Sequence, residues 1–312
     1  MNRKLGPATR DAFGETLAEL GAEDPRIVVV DADVADSTRT KEFMSRFPDR
    51  GWNVGIAESN LVGIGAGLAA SGKIPVVASF ACFLLSNAYD QIRMGIAFPG
   101  LNAKLVGSHG GISPGEDGPS QMAPEDVALA CSLGGFTVIV PADAASTRAA
   151  TRAMMALEGP VYMRTGRPEA PVVYEQEPDL EIGRAIEVRP GDSVTIIASG
   201  LMVAEALEAA SLLEEKGLSA RVLDMHTIKP LDTAAIEDVA TATGGLVVAE
   251  EHFAAGGLGS AVAMAASQLP NPPRLAFVNI GDRYSTSGKP SELFEDAGLT
   301  SKRIYDAAVS LT

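Results

Sequence analysis

The segment LNAKLVGSHGGISPGEDGPSQMAPED, Leu101–Asp126, contains the pattern that decides the fold. Its apolar start predicts a buried strand at Ala103–Ser108, and five glycines and three prolines between Gly107 and Asp126 exclude a long regular element after it. In open α/β sheets, ligand-binding residues collect on loops that follow the carboxyl ends of strands. We therefore predict a functional site on this loop, which carries four polar side chains: His109, Glu116, Asp117 and Gln121.

Strand-like and helix-like patterns alternate on both sides of this segment, which is typical of parallel α/β proteins. Buried strands are predicted at Arg26–Asp33, Lys73–Phe80, Ala103–Ser108, Phe136–Asp143 and Pro160–Thr165. Helices are predicted at Thr9–Leu20, Glu58–Ser71, Leu84–Ala97, Pro124–Leu133 and Ala144–Leu157. These elements predict a first α/β domain with a parallel sheet.

A second series of strands and helices follows a stretch that is rich in proline and acidic residues and has no clear periodicity. The series comprises SVTIIASG, a helix at Leu201–Lys216, ARVLDMHTIKPLD, GLVVAEE, a helix after Gly257, and RLAFVNIG. We predict a second, smaller parallel sheet from these segments. The expected domains are residues 5–170 and 186–312, joined by a linker at 171–185.

The composition excludes several classes of function. A chain of 312 residues with a formal net charge of −15 does not present the basic surface that binds nucleic acid or anionic membranes. A phosphate site would therefore depend on a few local arginines. The two cysteines, Cys82 and Cys131, form no CxxC pair and favour a reducing compartment. With no signal peptide and no apolar run of membrane length, we expect a cytoplasmic protein.

The segment GIAESNLVGIGAGLA places Glu58 at the start of a predicted helix. Taken alone, a carboxylate there is an ordinary first-turn acid that the helix dipole stabilises. The pattern Gly65-x-Gly67-x-x-Ala70 is a loosened dinucleotide fingerprint, but it falls inside the helix and no acidic residue follows at the required distance. The small residues instead allow a ligand or another backbone to approach this helix closely.

Both the polar loop, with its DGPSQM, and the Glu58 segment resemble transketolases, which use thiamine diphosphate. The resemblance implies that Glu58 contacts the aminopyrimidine ring and shares a proton with a ring nitrogen, a catalytic role that requires a largely buried carboxyl group. It also implies that Phe80 and Phe83, in ASFACFLLSNAYDQIRM, line the same ring by stacking. Without the resemblance, these two aromatics are equally well read as core residues at a strand-to-helix junction. Asp33 would face the cofactor or the near end of the substrate.

The same resemblance assigns substrate contacts to residues that are weak signals singly. Arg10, Ser37 and Arg167 match the places where transketolases hold the terminal phosphate of the sugar, a role that suits guanidinium groups. Catalytic His109 would lie beside the substrate C1 hydroxyl, and Asp117 would bind the C2 hydroxyl. Gln121 stands where microbial and plant-type enzymes have a second histidine. We interpret His226 and His252 as structural or interface residues.

The chain lacks the GDG motif with a downstream asparagine that marks the metal and diphosphate site of the family. The resemblance covers nearly the whole chain but only the C-terminal half of a transketolase: a pyrimidine-binding domain and a C-terminal domain. It implies a transferase subunit that moves a two-carbon ketol unit from a ketose phosphate to an aldose phosphate. The Mg²⁺ and diphosphate site would lie on an N-terminal partner subunit in a heterotetramer, and this chain would supply no metal ligand.

Other functions remain open at this stage. The β subunit of a 2-oxo acid dehydrogenase and a deoxyxylulose phosphate synthase share the glutamate and the domain order. The set Arg10, Ser37 and Arg167 together with the polar loop favours a sugar phosphate ketol transferase over an oxo acid enzyme. A non-catalytic partner subunit that kept the fold is a further alternative, and the intact Glu58 and polar loop argue against it.

Overall fold

A computed structural model of the chain describes residues 3–312. The strands in this range are β1 (Leu5–Ala8), β2 (Ile27–Asp31), β3 (Gly51–Asn53), β4 (Ile74–Phe80), β5 (Lys104–Ser108), β6 (Thr137–Ile139), β7 (Val161–Arg164), β8 (Glu169–Pro171), β9 (Ile186–Arg189), β10 (Val194–Ala198), β11 (Ala220–Asp224), β12 (Thr227–Lys229), β13 (Leu246–Ala249) and β14 (Leu275–Val278). The α-helices are α1 (Thr9–Glu23), α2 (Ala35–Thr38), α3 (Lys41–Arg46), α4 (Glu58–Ala70), α5 (Ala81–Asn87), α6 (Tyr89–Ile92), α7 (Asp126–Cys131), α8 (Ala144–Ala156), α9 (Met202–Glu214), α10 (Thr233–Ala242), α11 (Leu258–Ser267), α12 (Pro290–Ala297) and α13 (Ser301–Val309).

The first sheet has the strand order β12-β6-β7-β5-β4-β2-β3, and all its strands except β12 are parallel. Strands β2 and β5 are buried along their whole length. Helices cover both faces of a parallel sheet, so its central strands are continuous apolar runs rather than alternating ones. The five strands predicted for this half of the chain are all present, in the parallel arrangement that we expected.

Among the predicted helices of the first domain, the one at Leu84–Ala97 differs from the prediction, because it is interrupted. Helix α5 ends at Asn87, α6 begins at Tyr89, and a π-helical turn follows at Arg93–Ala97. At the break, the carbonyl of Asn87 accepts a hydrogen bond of 3.0 Å from the hydroxyl of Ser59 in α4. Because this carbonyl is turned toward a neighbouring helix, it does not accept the hydrogen bond that would continue its own helix, and the helix is interrupted at this point.

The second sheet has the order β14-β13-β10-β11-β9, with β9 antiparallel to β11 and the other pairs parallel. The fold class, two α/β domains with predominantly parallel sheets, is therefore confirmed. The prediction for ARVLDMHTIKPLD was wrong in one respect. Strand β11 lies in the second sheet, but β12 pairs antiparallel with β6 and extends the first sheet. Between β8 and β9 lies the segment that we proposed as the linker.

The two halves also share apolar core. One buried cluster combines Val30 and Val77 from the first sheet with Ile197 and Val248 from the second. Another cluster places Ile112, from the polar loop, among residues of the second domain. Within residues 3–312, no helix is both long enough and apolar enough to cross a membrane.

Candidate active site

Most of the predicted site residues lie at one edge of the first sheet. Strands β7, β5, β4 and β2 are neighbours in that order, and parallel strands end at the same edge. Each of the segments that follow these strands carries at least one predicted residue, for example Arg167, His109, Phe83 and Ser37. The topology therefore brings together side chains from four separate parts of the sequence.

His109 occupies the centre of this edge. Its side chain is 2 % exposed, and its ring stacks on the ring of Phe80 with centroids 3.9 Å apart and planes 14° from parallel. Nδ1 lies 2.9 Å from the hydroxyl of Ser108. Its backbone has φ 62°, a left-handed conformation that is uncommon without glycine and is sustained only by surrounding contacts. Phe83 stacks in turn beside Phe80, with centroids 5.8 Å apart.

The positive charges of three arginines affect the pKa of this histidine. Burial, followed by the positive charges of Arg10, Arg167 and Arg39, lowers the pKa of His109 to about 3. The imidazole is therefore neutral near pH 7, where it forms hydrogen bonds without carrying a charge. The sequence analysis missed Arg39, which ends α2 in a left-handed conformation with φ 65°. Its position two residues after Ser37 was the available signal.

Arg10 and Arg167 hold their guanidinium groups in different ways. Nη1 of Arg10 donates to the backbone carbonyl of Ser37 at 3.2 Å, whereas its buried Nε has no partner among the described residues. Burial, and secondarily Arg39, lowers the pKa of Arg10. Arg167 donates to the carbonyl of Pro114 at 3.1 Å and lies 3.5 Å from a carboxylate oxygen of Asp117. An unpartnered N–H beside other cations indicates room for an anionic ligand.

The loop carboxylates reach this cluster from the other side. Glu116 accepts a hydrogen bond of 3.2 Å from Arg167. Asp117 lies 4.0 Å from Nε2 of His109, measured to Oδ2. Asp117 thus stands between the histidine and Arg167, close enough to bind a small hydroxylated ligand together with either group.

Glu58 is the first residue of α4, and its side chain is 6 % exposed. The hydroxyl of Ser79, at the end of β4, donates to Oε1 of Glu58 at 3.0 Å. Phe80 follows Ser79 directly, so the buried carboxyl group and the stacked aromatic rings are adjacent along one strand end. Such an arrangement fits a flat nitrogen heterocycle, which gains from stacking and from a hydrogen bond at its edge.

The remaining two predicted residues, Asp33 and Gln121, form hydrogen bonds with residues outside this cluster. Asp33 is exposed, with φ 67°, and its Oδ1 accepts a hydrogen bond of 2.6 Å from Asn53. Gln121 is half-buried and donates to the hydroxyl of Ser120 at 3.3 Å. A contact between either residue and a ligand remains a prediction.

A polar network beneath the site was not predicted from the sequence. Buried Asp126 accepts hydrogen bonds from the hydroxyl of Tyr162, at 2.6 Å, and from Nε of Arg164, at 2.9 Å. Nη1 of Arg164 donates to the backbone carbonyl of Glu251, at 2.8 Å, in the second domain. His252 accepts from the backbone N–H of Ala128 at 3.1 Å, which fits its interpretation as structural. These contacts fasten the two domains together directly behind the polar loop.

Comparison with protein-family models gives two matches. The transketolase pyrimidine-binding domain matches residues 6–172, and the transketolase C-terminal domain matches residues 183–304. Together the two matches cover most of the chain.

Individual proteins agree with these matches. A 6-deoxy-6-sulfo-D-fructose transketolase subunit from Clostridium sp. is 41% identical over 304 residues, which are 97% of this chain and 94% of that protein. One of the apulose-4-phosphate transketolase subunits of Phocaeicola vulgatus is 37% identical, over 97% of this chain and 96% of that protein. A solved structure described as a split gene transketolase, inactive beta4 tetramer, has a TM-score of 0.89 and 44% identity and covers 98% of both chains. Human transketolase is matched over only 49% of its length, so this chain spans about half of such longer relatives.

Proposed function

Because the chain belongs to the transketolase family and forms the C-terminal part of a split transketolase-like enzyme, we propose that it is one subunit of a thiamine-diphosphate-dependent ketol transferase. The reaction is the reversible transfer of a two-carbon ketol unit from a ketose phosphate to an aldose phosphate. The observation that carries this proposal is the edge of the first sheet at which a neutral, buried His109 stacks on an aromatic pair and feels the charges of three arginines.

The aromatic end of this edge would hold the cofactor. Thiamine diphosphate, when bound, supplies the carbon nucleophile and the electron sink for ketol transfer. Glu58 would hold a proton at a pyrimidine nitrogen, since its buried carboxyl group is oriented by Ser79. Phe83 would stack on the ring, and Phe80 would keep His109 in place through their stacked contact. The family implies this cofactor, and the donor set agrees with it.

The cationic end would hold the far end of the sugar. Arg10 and Arg167, together with Ser37 on α2 and the additional charge of Arg39, would bind a terminal anion. One relative is named for a sulfo-sugar and another for a sugar phosphate, and these names support a phosphate or a sulfonate as the terminal group that the arginines would bind. His109, which remains unprotonated near neutral pH, would form hydrogen bonds to the hydroxyl groups at the reacting end.

Asp117 would bind the C2 hydroxyl of the acceptor, because its carboxylate lies beside both His109 and Arg167. We expect Asp117→Ala to reduce the preference for 2-hydroxy aldehydes over 2-deoxy aldehydes by roughly 10-fold or more, since a site discriminates for a hydroxyl only while its polar partner is present. The measurement is the ratio of kcat/KM for matched acceptor pairs. An unchanged ratio would mean that the loop does not bind this hydroxyl group.

The diphosphate and Mg²⁺ would be held by an N-terminal partner subunit, with two copies of each subunit in the assembly. We expect the isolated chain, supplied with cofactor and Mg²⁺, to show no ketol transfer, and the reconstituted pair to be active. A diphosphate is difficult to hold on a chain of net charge −15 without a metal ion and aligned N–H groups. The related split-gene structure, named as an inactive tetramer of β chains, supports this expectation.

The test measures turnover of a ketose panel by the chain alone and by the chain with its N-terminal partner. The panel contains a ketose phosphate, a 6-sulfonated ketose and unphosphorylated hydroxypyruvate. Full activity of the isolated chain would show that the diphosphate site lies within it. If the two subunits assemble but the complex turns over none of the ketoses, this chain would be better explained as a non-catalytic subunit.

A further inference from the structure

Glu251 lies in the second domain, 139 and 138 residues from the two loop residues that it contacts. It follows β13 and is 6 % exposed. Oε1 accepts hydrogen bonds from the backbone N–H groups of Ile112 and Ser113, both at 2.7 Å. Ile112 and Ser113 lie three and four residues after His109, on the loop that carries the proposed substrate contacts.

The loop backbone is shaped for this contact. Gly111 has φ 68°, and a Cβ added there would lie 2.2 Å from Oε1 of Glu251, so only glycine allows the carboxylate to approach. Successive N–H groups beside a left-handed residue form a concavity that binds an anionic oxygen. Here the anionic oxygen belongs to the protein itself, and it comes from the other domain.

Apolar packing fixes the same part of the loop to the second domain. The side chain of Ile112 is fully buried in the apolar cluster of that domain, and Met122, near the other end of the loop, lies in the same cluster. Gly111 and Ala123 form a short antiparallel bridge that closes the loop at its base. Glu251 supplies a polar fixed point between these apolar contacts and His109.

We propose that Glu251 is a positioning residue: by binding Ile112 N–H and Ser113 N–H, it holds the loop so that His109 stays buried and stacked on Phe80. The idea that this position serves ketol transfer rests on the proposed function, but the positioning itself does not. The second domain would thus set the state of a proposed active-site histidine although Glu251 touches neither cofactor nor substrate.

The test follows the imidazole of His109 in the full chain by NMR, with histidine labelled at Cε1. The sequence contains three histidines, so His109 is assigned from the signal that disappears in His109→Asn. In the wild-type chain the His109 signal should stay flat between pH 5 and 8, because its pKa is lowered to about 3. In Glu251→Ala the released loop would admit water, and the signal should titrate toward the ordinary histidine value of about 6.5.

Two further variants separate positioning from general damage. Glu251→Gln should restore the flat profile, because an amide oxygen can accept both N–H groups. Glu250→Ala is the matched control: Glu250 is also buried, and its carboxylate accepts two backbone N–H groups, but these belong to Leu258 and Gly259 of its own domain. This control should leave the His109 signal unchanged, even if it lowers the melting temperature.

The proposal is overturned if the His109 signal of Glu251→Ala does not change between pH 5 and 8, or if Glu250→Ala produces the same titration as Glu251→Ala. If Glu251→Ala does not fold, Glu251→Asp decides the question. The aspartate side chain is shorter by one C–C bond, about 1.5 Å, and its carboxylate cannot reach both N–H groups. A His109 signal that does not titrate in this variant would therefore also overturn the proposal. Because these measurements need neither cofactor nor partner subunit, failure of the proposed function would leave their outcome intact.

Discussion

Glu58→Gln is expected to lower kcat of the reconstituted enzyme by about 10²- to 10⁴-fold, the usual range for removing a positioned proton donor or acceptor. The glutamine side chain has the same shape, and its amide oxygen can still accept the hydrogen bond from Ser79, so the fold should not change. What the amide loses is the ability to share a proton with a pyrimidine nitrogen. Steady-state turnover of a ketose phosphate measures the effect.

Glu250→Gln serves as the control for this substitution. Glu250 is likewise buried, at 3 % exposure, and its carboxylate accepts two backbone N–H groups at the start of α11. Because the two N–H groups bind different oxygens of Glu250, glutamine would keep only one of these hydrogen bonds and should lower the stability. The activity of the folded variant should change little, since Glu250 lies outside the proposed cofactor site. Near wild-type turnover of Glu58→Gln, with normal assembly of the subunits, would contradict the assignment of Glu58 to the cofactor.

Arg167→Ala is expected to reduce kcat/KM for phosphorylated ketoses by roughly 10- to 150-fold, equivalent to about 1.5–3 kcal/mol for a hydrogen bond to a charged group. The loss should appear mainly in KM. Arg167 can supply this contact by exchanging its loop partners Glu116 and Asp117 for the substrate anion. Turnover of hydroxypyruvate, which has no phosphate, should change much less.

Arg152→Ala is a matched control, because Arg152 has a similar exposure and also pairs with two carboxylates, Glu19 and Glu177. It lies on α8, so its loss should affect both donors little. Equal losses on phosphorylated and unphosphorylated donors in Arg167→Ala would show that Arg167 only orders the loop.

Much of the site could be predicted because it depends on local sequence and on one rule of topology. The apolar runs that end at Phe80 and Ser108 predict two strands of a parallel sheet, and the structure pairs them directly. The residues that follow parallel strands lie at the same edge of the sheet. Glu58 was predicted at a helix start, where the structure places it. The features that could not be predicted depend on contacts between distant segments. Arg39 joins the cluster only because α2 ends in a left-handed turn.

Contacts across the chain explain the remaining differences. Nothing in the local sequence of Glu251 indicates that its partners are the N–H groups of Ile112 and Ser113, since they lie in another domain. The break after Asn87 depends on a hydroxyl from α4. The sequence of Thr227–Lys229 is compatible with a strand in either sheet. It lies in the first sheet because it pairs with the edge strand β6.

The placement of β12 has a consequence for how the molecule responds to heat and denaturant. A strand from the second domain closes the edge of the first sheet, and one apolar cluster runs through both domains. Pulling the domains apart would therefore leave backbone groups unpaired and apolar surface wet on both sides, at a cost in free energy that neither domain bears alone. We expect the two halves to melt in one cooperative transition, so that a weakening substitution deep in one half lowers the stability of the whole chain.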